Sequence, residues 1–575
     1  MNLQKIIFIL GKTYKKKAIV LLLISLPIAF LEMLGIGMMI PLFSLFVDNN
    51  YFSKFNISNV KYFDDKLIII IFLISIIILY FLKFIFSFYL IYQRNKFNYK
   101  LYVDLTQKIY KSYLNRPYSF HIENNSAKLI RNVKDETSLF VFQVISPAIE
   151  IIIELCIFIT IGVFLFYYNP MVSLSLILFF FCISYCWYKL YNKRFQEYGN
   201  VRQKQFGHII KHLQESFGNL KEIIIFSLED IFFKKYLHHN ERVADVGIKK
   251  DTLINLPRFF FELTGIAMLI CVMIYFIAKG TTLDQLLISL GVFVFASVRL
   301  LPSFTKIVRG LQTVKYNKVV IDAVYEEIEY YSKNFLLEKV VLEKVAAKKL
   351  TFNKIKINDA SFIYPNSLKA TLKNVNFELV KGDRVGVVGS TGSGKTTLIN
   401  LICGLIKPTG GKILINDDVD LDKHQSSWQQ NISYVPQNVH ILDESILYNI
   451  TFKNKLNDEE FKNFTNVLQI VKIDNFVNEL PETHNTIAGE KGVKFSGGQC
   501  QRLGIARALY RESSLLILDE ATNALDEETE RVILKSIYEK MKDRTILSIS
   551  HKKSVIDFNS VILDVQDGSV KKIIN

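Results

Sequence analysis

Three short stretches carry residue types that together perform phosphate chemistry. Gly389-Ser390-Thr391-Gly392-Ser393-Gly394-Lys395-Thr396-Thr397 fits the pattern G-x-x-x-x-G-K-[ST], with apolar Val385-Gly386-Val387-Val388 before it and a helix-like run over 398–405 after it. Glycines at this spacing let backbone N–H groups wrap a β-phosphate, and the helix start adds positive potential. Lys395 then reaches the β- and γ-phosphates, and the Thr396 hydroxyl ligates Mg²⁺. Leu515-Leu516-Ile517-Leu518 runs into Asp519-Glu520, which places Asp519 at the carboxyl edge of a parallel sheet, where ligands bind. Asp519 suits the Mg²⁺ shell, and Glu520 suits a base that orients an attacking water. Between these, Phe495-Ser496-Gly497-Gly498-Gln499 opens the helix-like stretch 501–510. A Ser-Gly-Gly turn at a helix start is a second anion cradle.

The elements that position these groups belong to a soluble α/β domain over 351–575, preceded by a linker at 326–350 and a membrane domain over 1–325. A chain of 575 residues exceeds one compact core. Half of it is hydrophobic, with 45 Phe and 28 Tyr, which excludes a disordered protein. The net charge of +16 fits either nucleic acid or an anionic membrane face. Apolar blocks concentrated in the first 300 positions favour the membrane and speak against nucleic acid. Crossing about 30 Å of hydrocarbon takes roughly 20 apolar residues. Six stretches qualify, at about 19–47, 67–92, 140–168, 171–191, 259–278 and 286–301. The lysine-rich start precedes a run too long for a signal peptide and reads as a retained anchor that leads straight into the first span. Lys and Arg crowd the start and the segments 94–134 and 193–250, so both termini are expected in the cytoplasm of a multi-pass inner-membrane protein. Those two segments read as helices running on into the cytoplasm, with reversals at 117–126 and 217–230. The six cysteines form no metal-spaced pair and read as packing thiols.

Glu32, Lys83, Glu150, Glu154, Arg258, Glu262 and Arg299 fall in or beside the spans. Intramembrane charge is costly and marks either a pathway or an internal pair. Arg258 and Glu262 are four apart and can pair along one helix, and Lys83 can snorkel. Arg299 is the best candidate for a cavity-lining cation, the competing reading being a pair with Glu150 or Glu154.

The phosphate loop, the Asp-Glu strand and the Ser-Gly-Gly-Gln turn together resemble the ATP-binding-cassette family, and six spans followed by one cassette resemble its exporter arrangement. That resemblance implies an all-α six-helix exporter domain fused to an α/β P-loop domain. It also implies that ATP and Mg²⁺ are held between the phosphate loop (Gly389 to Thr397) of one cassette and Ser496, Gly497, Gly498 and Gln499 of another. One chain offers one of each half-site, so a homodimer is expected. By position within family motifs, Tyr364 is the aromatic that stacks on adenine, Gln437 the glutamine that touches Mg²⁺, and Asn523-Ala524-Leu525-Asp526 the loop that crosses between cassettes. Likewise His551 is the switch histidine, catalytic together with Glu520, and Gly489-Glu490-Lys491-Gly492 is the exporter-specific segment. Two departures stand out: Phe495 where Leu is usual, and Cys500 where a basic residue often follows the glutamine.

Within the exporters, the membrane half resembles the bacterial lipid-linked oligosaccharide flippases of the PglK type. The resembling stretches are Phe30-Leu31-Glu32-Met33-Leu34-Gly35-Ile36-Gly37, Leu256-Pro257-Arg258-Phe259-Phe260-Phe261-Glu262 and Arg299-Leu300-Leu301-Pro302-Ser303. This implies a polyprenyl-pyrophosphate-linked oligosaccharide as cargo, carried to the outer leaflet for glycan or glycoprotein assembly. Its pyrophosphate would be met by Lys83, Arg258, Arg299, Lys306 and Arg309. Export of another amphiphile (lipid, drug or peptide) is the alternative, and a non-transport ATPase is disfavoured by the six spans.

Overall fold

A computed structural model describes residues 2–47, 65–280, 283–335, 350–365, 367–489, 492–550 and 558–574. It divides into two compact units, Met1–Arg116 with Glu123–Leu336 and Pro117–Ile122 with Leu337–Asn575. His551, Glu490 and Lys491 lie outside the described residues.

The first unit is helical: α1 (Asn2–Gly37), α2 (Met39–Val47), α3 (Asp65–Leu114), α5 (Ser146–Tyr168), α6 (Pro170–Gly218), α7 (Leu220–Ile225), α8 (Glu229–Ala278), α9 (Leu283–Tyr316) and α10 (Lys318–Tyr330); α4 (Tyr118–Glu123), which follows α3 in the chain, falls almost wholly in the second unit. At 1.5 Å per residue the 50 residues of α3 span about 75 Å, more than twice the hydrocarbon thickness, so such a helix must run on well beyond the bilayer. Helix α3 ends at Leu114 and the chain reverses through α4. It likewise turns through α7 between α6 and α8, with Ser227 at φ 53°. The expected reversals fall at these two places. Among the described residues five helices are long and apolar enough to cross a membrane, and a shorter apolar stretch, Pro170–Phe179, opens α6, consistent with about six spans. The tight turn between α5 and α6 is set by Asn169, whose side chain accepts from the Val172 N–H while Pro170 takes the first helical position. Helix α10 carries the chain across residue 325 to Tyr330 without a break.

Within this unit α9 sits against α5 at close range. A Cβ at Gly310 would come within 2.7 Å of Ile151, so only glycine lets the two helices approach this far. Two π-helical turns, Asn132–Glu136 and Phe140–Ile145, precede α5.

The second unit holds two sheets. A four-stranded antiparallel sheet has the order β2–β1–β4–β5, from β1 (Lys354–Phe362), β2 (Leu372–Val380), β4 (Gly410–Ile415) and β5 (Val419–Asp420). A six-stranded sheet has the order β10–β9–β3–β8–β7–β6. Its strands are β3 (Arg384–Val388), β6 (Ile432–Val435), β7 (Leu515–Asp519), β8 (Thr545–Ile549), β9 (Val561–Gln566) and β10 (Ser569–Ile574). All pairs but β9–β10 run parallel, so β3 and β7 end on the same edge with β8 between them. Both strands are near-continuous buried hydrophobic runs, as a parallel sheet covered on two faces requires. The helices used below are α11 (Lys395–Ile402), α12 (Asp458–Ile470), α13 (Gly497–Tyr510) and α14 (Glu527–Lys540).

Candidate functional site

The phosphate loop leaves β3 at Val388 and enters α11 at Lys395. Gly389 has φ 148° and Gly394 φ 113°, and a Cβ at Gly389 would stand 2.3 Å from the Val565 carbonyl oxygen. The loop closes this tightly only with glycine there. Lys395 is buried, and its Nζ donates to the carbonyls of Gly389 and Ser390 at 2.8 and 2.9 Å. Ser393 Oγ is buried with no hydrogen-bond partner among the described residues. A buried ammonium whose hydrogen bonds go to two neutral carbonyls, beside a spare hydroxyl, suits an anion that would satisfy both. Thr396 is exposed and Thr397 buried, its Oγ1 3.2 Å from the Tyr364 hydroxyl. Tyr364 stands edge-on to Phe362 with ring centroids 4.8 Å apart.

Asp519 ends β7 and is buried; its Oδ2 accepts from Tyr434 Oη at 2.8 Å. Burial raises its carboxyl above the usual range and the Glu520 charge adds to this, against the Tyr434 bond and the Lys395 charge. Burial, with the Asp519 charge, likewise raises the Tyr434 hydroxyl. Glu520 takes a left-handed backbone, φ 49°, unusual for a residue with a Cβ. Its N–H donates to the Ile549 carbonyl at 3.1 Å, and its Oε2 accepts from Gln437 Nε2 at 2.5 Å and from Asn523 Nδ2 at 2.8 Å. Thus the chain after β6, the end of β7 and the crossing loop converge on one carboxylate. Thr396, Gln437 and Asp519 offer oxygens, the donor type a hard cation such as Mg²⁺ takes. Tyr434 and Asn523 were missed as individual contributors by sequence reasoning. No local signal singles out Tyr434, because its partner Asp519 is 85 residues away.

Ser496 caps α13 in a reciprocal box. Its Oγ accepts from the Gln499 N–H at 3.2 Å, and Gln499 Oε1 accepts from the Ser496 N–H at 2.7 Å. Gln501 Oε1 accepts from the Ala524 N–H at 2.8 Å, and a Cβ at Gly498 would sit 3.2 Å from the Ala524 carbonyl, so this turn is packed on the crossing loop. The phosphate loop's helix α11 belongs to one hydrophobic core and α13 to another. The two departures from the family pattern are packing residues. Phe495 meets Phe476 edge-on at 5.6 Å, and Cys500 lies against Gly492, its thiol raised by burial.

Of the candidate cargo-binding cations in the helical unit, Lys83, Arg258, Arg299 and Lys306 are in ion pairs. Glu32 is buried and accepts from Arg299 Nε at 2.7 Å and pairs with Lys83 at 2.9 Å. Arg299 also lies 3.6 Å from Glu154, which accepts from Lys306 at 2.7 Å and from Ser303 Oγ at 2.7 Å. Lys306 is 3.9 Å from Glu150, which lies 3.7 Å from Arg94. The pair of Arg299 with Glu154 was one of two readings of the sequence. Glu32 as the shared partner of Arg299 and Lys83 was not foreseen. Arg258 pairs with Glu262 at 2.9 Å, both exposed, and Arg309 has no ion pair among the described residues. Arg258, Glu262, Lys306 and Arg309 line a cavity of about 520 Å³ between α8 and α9.

A set of membrane-length helices joined in one chain to a P-loop sheet defines a membrane-embedded ATPase. Residues 14–299 match the family described as ABC transporter transmembrane region, and residues 372–523 that described as ABC transporter. The chain is therefore an ABC exporter half-transporter, with one transmembrane and one nucleotide-binding domain, an ATPase coupled to transport. Over 480 residues it is 26 % identical to the ATP-dependent lipid A-core flippases of Pectobacterium atrosepticum and of Escherichia coli K12, an overlap of 82 % of this chain and 79 % of each relative. A solved structure of a bacterial Atm1-family ABC exporter with ATP bound has a TM-score of 0.72 at 19 % identity and covers 98 % of this chain and 95 % of that one. Such a likeness speaks to the fold.

Proposed function

We propose that the chain works as a homodimer in the inner membrane, with both termini cytoplasmic. In this reading it uses ATP at two composite sites to move a polyprenyl-pyrophosphate-linked oligosaccharide to the outer leaflet. In each site Tyr364 would face the adenine, the backbone of Gly389 to Thr397 and the Lys395 ammonium would hold the phosphates, and the partner's Ser496, Gly497, Gly498 and Gln499 would close over them. When bound, Mg²⁺ would neutralise phosphate charge, held by Thr396, Gln437 and Asp519. Glu520, held by Gln437 and Asn523, would orient the attacking water, and His551 would serve as the switch histidine by its position in the family motif.

The observation that carries the cargo assignment is the cavity between α8 and α9, lined by Arg258, Glu262, Lys306 and Arg309; Arg258 is paired with Glu262 and Lys306 with Glu154, which leaves Arg309 without an ion pair among the described residues. A pyrophosphate diester is a natural counterion for that guanidinium. Arg299 and Lys83 would act by holding the neighbouring helices through Glu32 and Glu154. The names of the relatives favour a second reading, export of another phosphate-bearing glycolipid. Proteoliposomes decide between them: outward movement of a fluorescent polyprenyl-pyrophosphate oligosaccharide, dependent on ATP and lost in Lys395→Ala, supports the first. Movement of a lipid A-type phosphoglycolipid alone would transfer the assignment to the second.

A further inference from the structure

The six-stranded sheet has a second charged concavity at its other edge. Arg384 opens β3, so it stands five residues upstream of the phosphate loop, at the amino end of the strand whose carboxyl end feeds that loop. Together with Arg531, Lys535 and Lys542 from α14 and its exit, it lines a cavity of about 650 Å³. The volume lies within the range of small-molecule sites, roughly 300–1,000 Å³.

The lining is unbalanced. Four cations face one carboxylate, Glu539, and that group is 4.0 Å from Lys535 in a pair in which both side chains are largely exposed. Such a contact neutralises little. Arg531 and Lys542 have no ion pair among the described residues. Arg384 is fixed in place: its Nη2 donates to the Tyr538 carbonyl at 3.3 Å, and its guanidinium lies 5.2 Å from the Tyr538 ring. Tyr538 is buried and stacks on Phe558 at 5.2 Å with the planes 10° apart, so the floor is rigid and aromatic. The exposed side chains of Arg531, Lys535 and Lys542 lie along one side of the cavity and Arg384 on its inner wall, so their positive fields add there. Two arginines in the set supply the planar donor forks that phosphate groups accept bidentately.

The position gives the cavity a route to the catalytic edge. Helix α14 is capped by Asp526, the last residue of the crossing loop, whose side chain accepts from the Thr529 N–H at 2.9 Å. Tyr538 Oη donates to Asn559 Oδ1 at 3.0 Å, Asn559 Nδ2 donates to Ser548 Oγ at 3.0 Å, and β8 ends one residue later at Ile549, whose carbonyl accepts from the Glu520 N–H.

We propose that this cavity is a second anion site of the cassette, separate from the catalytic one, which takes a small phosphorylated molecule. The shared chemistry is a polyanionic phosphate chain, and its source is either a bare polyphosphate or a nucleotide.

The test uses the full-length protein in detergent, saturated with a non-hydrolysable ATP analogue so that the catalytic sites are filled. Inorganic tripolyphosphate and AMP are titrated separately by calorimetry. Binding of either at one site per chain is expected. Arg531→Glu with Lys535→Glu, both exposed side chains, should weaken it at least about tenfold. Lys462→Glu with Lys571→Glu makes the same charge change elsewhere on the cassette and should leave it within twofold. Tripolyphosphate alone points to a bare polyphosphate; tighter binding of AMP points to a nucleotide. Absence of binding by both, or equal loss in the two double variants, overturns the site. Unaltered ATPase Michaelis constants in the Arg531→Glu/Lys535→Glu protein show that it is folded.

Discussion

Gln437 donates its Nε2 hydrogen to Glu520 Oε2 at 2.5 Å, so the segment after β6 and the end of β7 are joined through the one carboxylate that also takes Asn523. A carboxylate with two amide donors is fixed in direction, and a fixed direction is what positioning a water demands. Glu520→Gln should therefore keep nucleotide binding and lower ATP hydrolysis by at least about 100-fold, because an amide cannot take the proton. Gln437→Ala should cost less, about tenfold, since Asn523 remains. Fluorescent-nucleotide binding and phosphate release in the same preparation check both. Hydrolysis by Glu520→Gln at the wild-type rate would remove Glu520 from the chemistry.

A composite site makes its own demand on mixed dimers. Ser496→Arg should disable the phosphate loop of the partner, and Lys395→Ala its own. Dimers combining one chain of each kind keep about one intact site by this geometry. They should hydrolyse ATP at about half the wild-type rate if the two sites act independently, while both mutant homodimers stay near zero. Doubly tagged, doubly purified heterodimers provide the measurement, and activity no better than that of the homodimers would count against sharing.

The local geometry of the phosphate-loop, Asp-Glu and Ser-Gly-Gly-Gln motifs was legible because each is local. The phosphate loop, the Asp-Glu strand end and the Ser-Gly-Gly-Gln turn each fit within ten residues and carry their backbone geometry with them, as φ 148° at Gly389 and the capping box at Ser496 show. The Arg258–Glu262 pair was legible for the same reason, being one helical turn apart. What was not legible depends on helix packing. Arg299 and Glu32 are separated by 267 positions, and nothing in the periodicity of either helix ranks Glu32 above Glu150 as its partner. Tyr434 is similar, since its link to Asp519 exists only once β6 lies parallel to β7 with Tyr434 opposite Ile517.

Asp519 sets a pH dependence. Burial holds its carboxyl above the ordinary value, so without metal the neutral acid persists to higher pH in the folded protein than in the unfolded chain. That preference contributes stability below the unfolded-state value and is lost as pH rises through the folded one. Holding Mg²⁺ needs the ionised form, so affinity should fall as the solution is acidified through that window, approaching tenfold per pH unit below it. Tyr434→Phe removes a hydrogen bond that favours ionisation and should move the curve to higher pH. Mg²⁺ titrations of ATPase activity between pH 5 and 8, compared for the two proteins, read the displacement, since ATP's own titration is common to both. Coincident curves would show that the Tyr434 hydroxyl does not tune this carboxylate.

Phe495 tests whether the signature's unusual residue is functional or merely packed. Its ring meets Phe476 edge-on, part of the core that holds α12 and α13. Phe495→Leu should leave the ATPase rate within twofold and lower cassette stability by about 1 kcal/mol, the order expected for a lost aromatic pair with partial repacking. Thermal unfolding and ATPase assays of one preparation separate the two effects. A large fall in activity with unchanged unfolding would assign the ring to nucleotide closure instead.

The intramembrane ion pairs allow structure and cargo to be separated by mutation. Glu32 is buried and is the partner of both Arg299 and Lys83, so Glu32→Gln leaves two cations short of a carboxylate in a setting where water is scarce. Breaking a buried pair from one side typically costs about 3–5 kcal/mol. A marked fall in unfolding temperature and in yield is expected, with partial recovery in Glu32→Gln/Lys83→Met, where the cation count is reduced to match. Arg309 stands differently: exposed, without an ion pair among the described residues, on the wall of the α8–α9 cavity. Arg309→Ala should therefore unfold at the wild-type temperature and keep its basal ATPase, yet translocate a polyprenyl-pyrophosphate oligosaccharide several-fold more slowly. Unfolding scans in nanodiscs, set beside translocation in proteoliposomes, yield both numbers for each variant. If Arg309→Ala transports at the wild-type rate while a well-folded Arg299→Ala does not, the anion is read by the Glu32–Arg299–Glu154 chain, and the cavity between α8 and α9 is not its seat.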